Sequence, residues 1–240
     1  MDKLFIVIPV YNEEANIRDV IEDWYPVVEK HNGNGESRLV LIDDGSKDST
    51  YSIIQDCAPK YPLIKAITKK NEGHGATVLY GYNYAIENGA DYIFQTDSDG
   101  QTLPSEFEQF WKCRKEHEMV IGHRSKREDG FSRYVVTKVL KGTLKVCFGV
   151  TVTDANTPFR LMKADVLKEN LKYVPEKFNL SNVIISVIYA KKKYNVKYIP
   201  ITFRPRQGGV NSINLKKIFK IGVQAMKDFR KINKTLKEIN

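Results

Sequence analysis

Tyr92-Ile93-Phe94-Gln95-Thr96-Asp97-Ser98-Asp99-Gly100-Gln101 sets a short apolar strand directly against an acidic cluster. Residues alternate sides in an extended or tightly turned backbone, so the carboxylates of Asp97 and Asp99 can converge on one ion. Gln101 continues the same spacing and can add a carbonyl oxygen. Hard oxygens of this kind suit Mg2+ or Mn2+, with phosphate oxygens and water completing the shell. A solvated acidic turn pivoting at Gly100 is the simpler reading of these residues alone. An EF-hand loop is a poorer one, because Thr102-Leu103-Pro104 breaks its pattern and no glutamate stands at the twelfth position.

The neighbouring sequence decides what such a cluster means. Upstream, apolar runs alternate with helix-like stretches. Leu4–Val10, Ser37–Asp43 and Ile64–Thr68 read as strands, and residues 12–28, 49–58 and 75–89 as helices. The strands are continuously rather than alternately apolar, which predicts a mostly parallel α/β sheet covered on both faces. Polar clusters close three strands: Pro9-Val10-Tyr11-Asn12-Glu13, Asp43-Asp44-Gly45-Ser46, and Asp97-Ser98-Asp99. Ligands of open α/β sheets bind at the carboxyl ends of the strands.

Each cluster also has a plain reading. Asp43 to Thr50 is rich in helix-capping residues, and a well-capped helix is the better reading of this segment alone, with presentation of one aspartate to a base or ribose as the other. Asn71-Glu72-Gly73-His74-Gly75-Ala76 is a glycine turn opening a helix, where main-chain N–H groups can meet phosphate. It lacks both the P-loop ending and the dinucleotide glycine spacing, and His74 reads as a turn residue.

Downstream, residues 119–122 and 196–203 read as strands, and residues 132–150 and 180–192 as helices. A basic segment runs from His123 to Arg133. From Asn214 onward, Leu215, Ile218, Phe219, Gly222, Met226 and Phe229 share one helical face among many lysines.

The chain has 240 residues, 42% hydrophobic and 28% charged, enough for a substantial core and too apolar for a disordered chain. No apolar run approaches the roughly 18–20 residues of a membrane span, and the first run is too short for a secretion signal. Cys57, Cys113 and Cys147 are scattered and odd in number, which points to a reducing cytoplasm. The formal charge of +9 asks for an anionic partner. Nucleic acid, phosphorylated small molecules and anionic lipid head groups all carry that charge.

Taken in order, V-I-P-V-Y-N-E-E, L-I-D-D-G-S-K-D-S-T, N-E-G-H-G-A and Q-T-D-S-D-G-Q resemble glycosyltransferase family 2 of the GT-A fold. The resemblance implies an inverting transferase using a nucleotide-sugar donor. Pro9, Tyr11, Glu13, Asp43, Asp44, Gly75, Asp97, Ser98 and Arg206 would contact that donor. Asp97, Asp99 and Gln101 would surround the metal, with Asp99 counted among the catalytic residues. The later sequence is similar to the dolichol-phosphate mannosyltransferase and bacterial polyprenyl-phosphate branch. By that likeness Arg124, Arg133 and Thr137 would receive an acceptor phosphate. Asp154 begins a block resembling D-x-x-x-G-F-R, with Pro158 in place of its glycine, and is the candidate base if the acceptor is a sugar hydroxyl. Asn182 stands where the family usually has glutamate, Tyr198 replaces another glutamate, and Ser212 falls where a lysine is expected.

The implied organisation is a GT-A domain over 1–212, divided into a nucleotide-binding half (1–101) and an acceptor half (102–212). A basic amphipathic C-terminal helix follows over 213–240. That helix suits a membrane surface beside a polyprenyl phosphate, making the expected location cytoplasmic and peripheral on the inner face of a membrane. Packing of the stripe on the domain, or a homo-oligomer contact, are its alternatives. A saccharide acceptor and a non-catalytic sugar-nucleotide-binding subunit are the rival functions. Nucleic-acid binding rests on charge alone and is set aside.

Overall fold

The computed structural model describes residues 2–33, 35–124, 130–205, 228–230, 232–234 and 236, and for 130–137 the main chain alone. Its first strand, β1 (Leu4–Val10), is buried at all seven positions. It lies between two parallel neighbours, β2 (Arg38–Asp43) and β4 (Tyr92–Gln95). Beyond β2 lies β3 (Ile64–Thr68). On the other side follow β6 (Arg160–Lys163), β5 (Met119–Arg124) and β7 (Val196–Ile201), giving the order β3-β2-β1-β4-β6-β5-β7. Only β6 is antiparallel to its neighbours. The carboxyl ends at Val10, Asp43, Thr68, Gln95, Arg124 and Ile201 therefore share one edge with the entry to β6 at Arg160.

Alternate strand residues feed two cores. Val7, Val40, Ile93, Met119, Ile121 and Met162 face α3 (His74–Glu87), α5 (Gly130–Phe148), α6 (Ala164–Leu171) and α7 (Ser181–Lys191). Ile6, Leu41, Phe94, Val120 and Leu161 face α1 (Ile17–Lys30), α2 (Thr50–Cys57) and α4 (Phe107–Lys112). Phe94 lies 4.7 Å from Phe159 and 4.9 Å from Phe107, both edge-on, the geometry that ring quadrupoles favour.

Two departures from the sequence expectations have local causes. α1 starts at Ile17 rather than at Asn12. The Asn12 and Glu13 N–H groups instead donate to Ser46 Oγ (3.0 Å) and Thr50 Oγ1 (2.8 Å), and Asn12 adopts a left-handed φ of 53°. Those bonds tie the turn after β1 to the turn after β2. Strand β6 has no strand signature of its own, because four residues beginning with a buried arginine carry too little pattern.

Most of the C-terminal segment from Asn214 lies outside the described residues. Within it, Phe229, Ile232 and Leu236 are buried, and Phe229 stacks edge-on against Phe148 and Phe178. At Phe229, therefore, the apolar stripe packs on the domain, one of the readings that its sequence offers.

Candidate active site

The turns after β1, β2 and β3 are fastened to one another by buried acids. Asp43 Oδ1 accepts from the Ser46 N–H (3.1 Å) and Oδ2 from Thr68 Oγ1 (2.7 Å). Asp44 receives Lys69 Nζ at 2.7 Å and the Glu72 and Gly73 N–H groups at 3.0 and 2.8 Å. Burial alone raises the Asp44 pKa, but the ammonium and these hydrogen bonds outweigh it and hold the carboxyl below the usual range. Both aspartates thus have partners inside the protein, and they fix the loops of this sheet edge. Glu13 is similarly buried and accepts from Asn16 Nδ2 at 2.8 Å. Pro9 is buried at the end of β1, whereas Tyr11 is 42% exposed on the edge.

Gly75 opens α3 against the chain at 178–179. A Cβ there would fall 2.2 Å from the Phe178 carbonyl oxygen and 2.7 Å from the Asn179 Cα. Main chain cannot give way as a flexible side chain can, so Gly75 serves the approach of two backbones. Gly75→Ala is expected to destabilise the fold by about 2–3 kcal/mol, the range for overpacking. That lowers the melting temperature by roughly 4–12 °C. Thermal denaturation of the variant checks it, and a melting point within a degree of the parent would contradict it.

Beyond β4, the Thr96 and Thr102 hydroxyls meet at 2.7 Å and close the acidic loop at its base. Asp97 Oδ1 lies 3.0 Å from His74 Nε2. Withdrawal from water lowers the imidazole pKa, but Asp97, with Asp44 and Asp99 behind it, overrides this and raises it. Ser98 is buried, and Gly100 takes the left-handed φ of 68° that the turn requires. Asp99 Oδ1 accepts from the Gln101 N–H at 3.1 Å. Gln101 is pinned to the chain after β7: its carbonyl accepts from Arg204 N (2.8 Å) and its Nε2 donates to the Arg204 carbonyl (3.0 Å).

This donor set fits a divalent cation only in company. Among the described residues no group of three or more His, Cys, Asp or Glu side chains converges as a metal cage. Asp97 and Asp99 offer two carboxylates on one turn. Mg2+ or Mn2+ there must take its remaining ligands from water and a phosphorylated substrate, as such ions commonly do.

Across the same edge, the Arg124 guanidinium lies 3.8 Å from the centroid of the Phe203 ring. Stacking of this kind holds a guanidinium in one plane, and guanidinium geometry suits phosphate. Nothing in the sequence pattern pairs these residues, which lie on the parallel neighbours β5 and the exit from β7. Arg133 and Thr137 belong to α5, but their side chains lie outside the described residues, as does Arg206.

Asp154 lies in the loop entering β6, so it too reaches this edge. Its carboxylate accepts a long bond from the Asn156 N–H, at 3.4 Å. The loop is anchored from beneath by Arg160, which is fully buried. Its guanidinium donates to the carbonyls of Thr157 (2.6 and 3.0 Å), Ala155 (3.2 Å) and Asn182 (3.0 Å). Ser186 Oγ, 3.4 Å from the same guanidinium, donates to the Ala155 carbonyl. Where the resemblance leads one to expect glutamate, Asn182 serves Arg160 through its main chain.

Comparison with known proteins identifies the family and the fold. A model of glycosyl transferase family 2 matches residues 5–171. The chain is 28% identical over 222 residues to the UDP-N-acetylglucosamine–dolichyl-phosphate N-acetylglucosaminyltransferase of Methanococcus voltae, covering 83% of this chain and 85% of that one. It is 25% identical over 204 residues to the undecaprenyl-phosphate 4-deoxy-4-formamido-L-arabinose transferase of Photorhabdus laumondii, covering 80% of this chain and 61% of that one. Among solved structures it resembles glucosyl-3-phosphoglycerate synthase from Mycobacterium tuberculosis in complex with Mn2+, UDP-glucose and phosphoglyceric acid. The TM-score is 0.67 at 16% identity, over 97% of this chain and 80% of that one.

Proposed function

The chain belongs to glycosyl transferase family 2 and has the GT-A fold, and from that premise we propose that it transfers a sugar from a nucleoside diphosphate sugar to the phosphate of a polyprenyl phosphate. One observation carries the reading. The Asp97–Asp99 carboxylates and the stacked Arg124 guanidinium stand on the same sheet edge, one suited to a metal-bound diphosphate and the other to a second phosphate. Both relatives named above are, by name, transferases acting on a lipid-linked phosphate, which supports the acceptor assignment.

Asp97 and Asp99, with Gln101 beside them, hold the Mg2+ or Mn2+ in this reading. The ion supplies Lewis-acid stabilisation to the departing diphosphate. The protein does the rest. Pro9, Tyr11, Glu13 and the fastened turns at Asp43 and Asp44 form the wall for the nucleotide, with uracil the first choice of base and guanine the second. Arg206 adds positive charge to the diphosphate. Arg124, Arg133 and Thr137 bind and orient the acceptor phosphate, for which guanidinium geometry is suited. A phosphate monoester is ionised at neutral pH, so its oxygen attacks the anomeric carbon without a strong base. With a saccharide acceptor, Asp154, in the loop entering β6, is the base.

Phe203→Leu removes the shelf under Arg124. The expected result is a KM for the lipid phosphate raised about three- to tenfold, in line with about 1 kcal/mol for an exposed cation–π contact, and an unchanged KM for the donor. Equal changes in both constants would argue that Phe203 acts on the fold at large.

The acceptor is tested by supplying radiolabelled UDP- and GDP-sugars with Mn2+ and, in parallel, a polyprenyl phosphate, the unphosphorylated polyprenol, or a saccharide. Label entering the organic phase only with the phosphate is expected. A product formed without any polyprenyl phosphate would replace this reading with the saccharide one. Among the described residues no helix is long and apolar enough to cross a membrane.

A further inference from the structure

Helix α5 buries one face and leaves the other unusually dressed. Leu144 and Phe148 lie in the core, with Leu140 and Cys147 against it. Outward stand Lys138, Val139, Gly142, Lys145, Val146 and Gly149. Val139 is 62% and Val146 87% exposed, the two most exposed large apolar side chains among the described residues. Seven residues separate them, so they share a face to within about 20° and lie about 10 Å apart along the axis. A Cβ at Gly142, between them, would meet nothing within 4 Å. Lys138 and Lys145 run beside the valines with the same spacing.

Charge on this helix has one sign. Gly130–Phe148 reads GFSRYVVTKVLKGTLKVCF, with Arg133, Lys138, Lys141 and Lys145 and no acid. Exposed β-branched residues are poor choices for a helix surface facing water alone. Valines interleaved with lysines suit the boundary of an anionic bilayer, where the apolar groups enter the headgroup region and the ammonium groups meet lipid phosphates.

We propose that the outward face of α5 is the protein's docking surface for an anionic lipid bilayer. The first half of the same helix carries Arg133 and Thr137. A helix lying among the headgroups sets those residues at the depth where a polyprenyl phosphate presents its own phosphate. This link to the acceptor rests on the function proposed above, whereas bilayer binding itself does not. The face differs from the C-terminal stripe, whose member Phe229 is used inside the fold.

The test is co-sedimentation of the full chain with phosphatidylglycerol–phosphatidylcholine vesicles and with phosphatidylcholine vesicles alone. The expected result is binding to the first and little to the second. Val139→Glu/Val146→Glu is expected to keep the parent melting temperature and to lower the bound fraction at least about fivefold. Lys138→Gln/Lys145→Gln should weaken binding about as much and flatten its salt dependence. Val146→Gln, at the most exposed site, provides a milder variant should the double glutamate unfold. Binding that survives in all three variants, or no binding by the parent, overturns the proposal. So does a parent dimer that the valine variant splits without any effect on vesicles, because the face would then join two copies of the chain. Transfer measured in detergent micelles separates the two claims. Intact vesicle binding with no transfer to polyprenyl phosphate in either setting removes the acceptor assignment and leaves the docking surface standing.

Discussion

Asp99→Asn lowers the rate of sugar transfer about a thousandfold while the melting temperature stays within a degree or two. Removing one preorganised group that stabilises developing charge typically costs 10²–10³ in rate, and loss of an ionic ligand lies at the upper end. The substitution is otherwise mild. Asparagine keeps an oxygen to accept the Gln101 N–H, the bond that Asp99 Oδ1 makes at 3.1 Å. The Thr96–Thr102 contact and the Gln101–Arg204 pairing that frame the loop do not involve the Asp99 side chain. Steady-state assay at saturating Mn2+, beside a thermal melt, separates chemistry from folding. A variant retaining more than a tenth of the parent rate would remove Asp99 from the metal site.

Arg160→Met is expected to damage stability and turnover together. Arg160 is fully buried, and its hydrogen bonds end on main-chain carbonyls and a serine hydroxyl. Burial pushes its pKa down, and Tyr82, Asp154, Tyr198 and Asp97 pull it back up. Methionine fills much of the volume but leaves the Thr157, Ala155 and Asn182 carbonyls without this donor. Each buried acceptor so abandoned costs about 1–3 kcal/mol, and relaxation of the loop brings the expected total to about 3 kcal/mol. The melting temperature falls by roughly 6–12 °C. The loop so released carries Asp154 and adjoins the reacting edge, and misplacement there is expected to lower kcat about a hundredfold. Arg160→Lys keeps the charge but not the fork that reaches three carbonyls, and should fall between. A methionine variant as stable and active as the parent would show that the network is dispensable.

The first half of the fold was legible because its strands are both apolar and continuous. Leu4–Val10, Ile64–Thr68 and Tyr92–Gln95 have the bounds that their sequence predicts. Strand β6 was not legible, nor were the short helices α4 and α6. β6 exists because β4 and β5 flank it, a tertiary cause that four residues cannot encode locally. The same division runs through the site. The acidic turn at 97–99 and the arginine at the end of β5 are visible as residue types at strand ends. Their supports are not, because His74, Phe203 and Arg204 reach them from distant parts of the chain. Asp43 and Asp44 are instructive in another way. Acids after a strand suggest contacts to a nucleotide; the fold adds that Thr68, Lys69 and the 72–73 main chain hold them in place, partners that no local pattern could reveal. At the C-terminus, helical periodicity marked an apolar face but could not say what covers it. At Phe229 the answer is Phe148 and Phe178.

In the proposed mechanism Asp97 and Asp99 bind the donor diphosphate through a divalent ion. Calorimetric titration of UDP into the protein, with Mn2+ and again with chelator, tests it most directly. Binding is expected to appear with Mn2+, disappear with chelator, and be lost in Asp97→Asn and Asp99→Asn but kept in Arg124→Ala. Equally tight binding with chelator present, unchanged by either aspartate substitution, would contradict it.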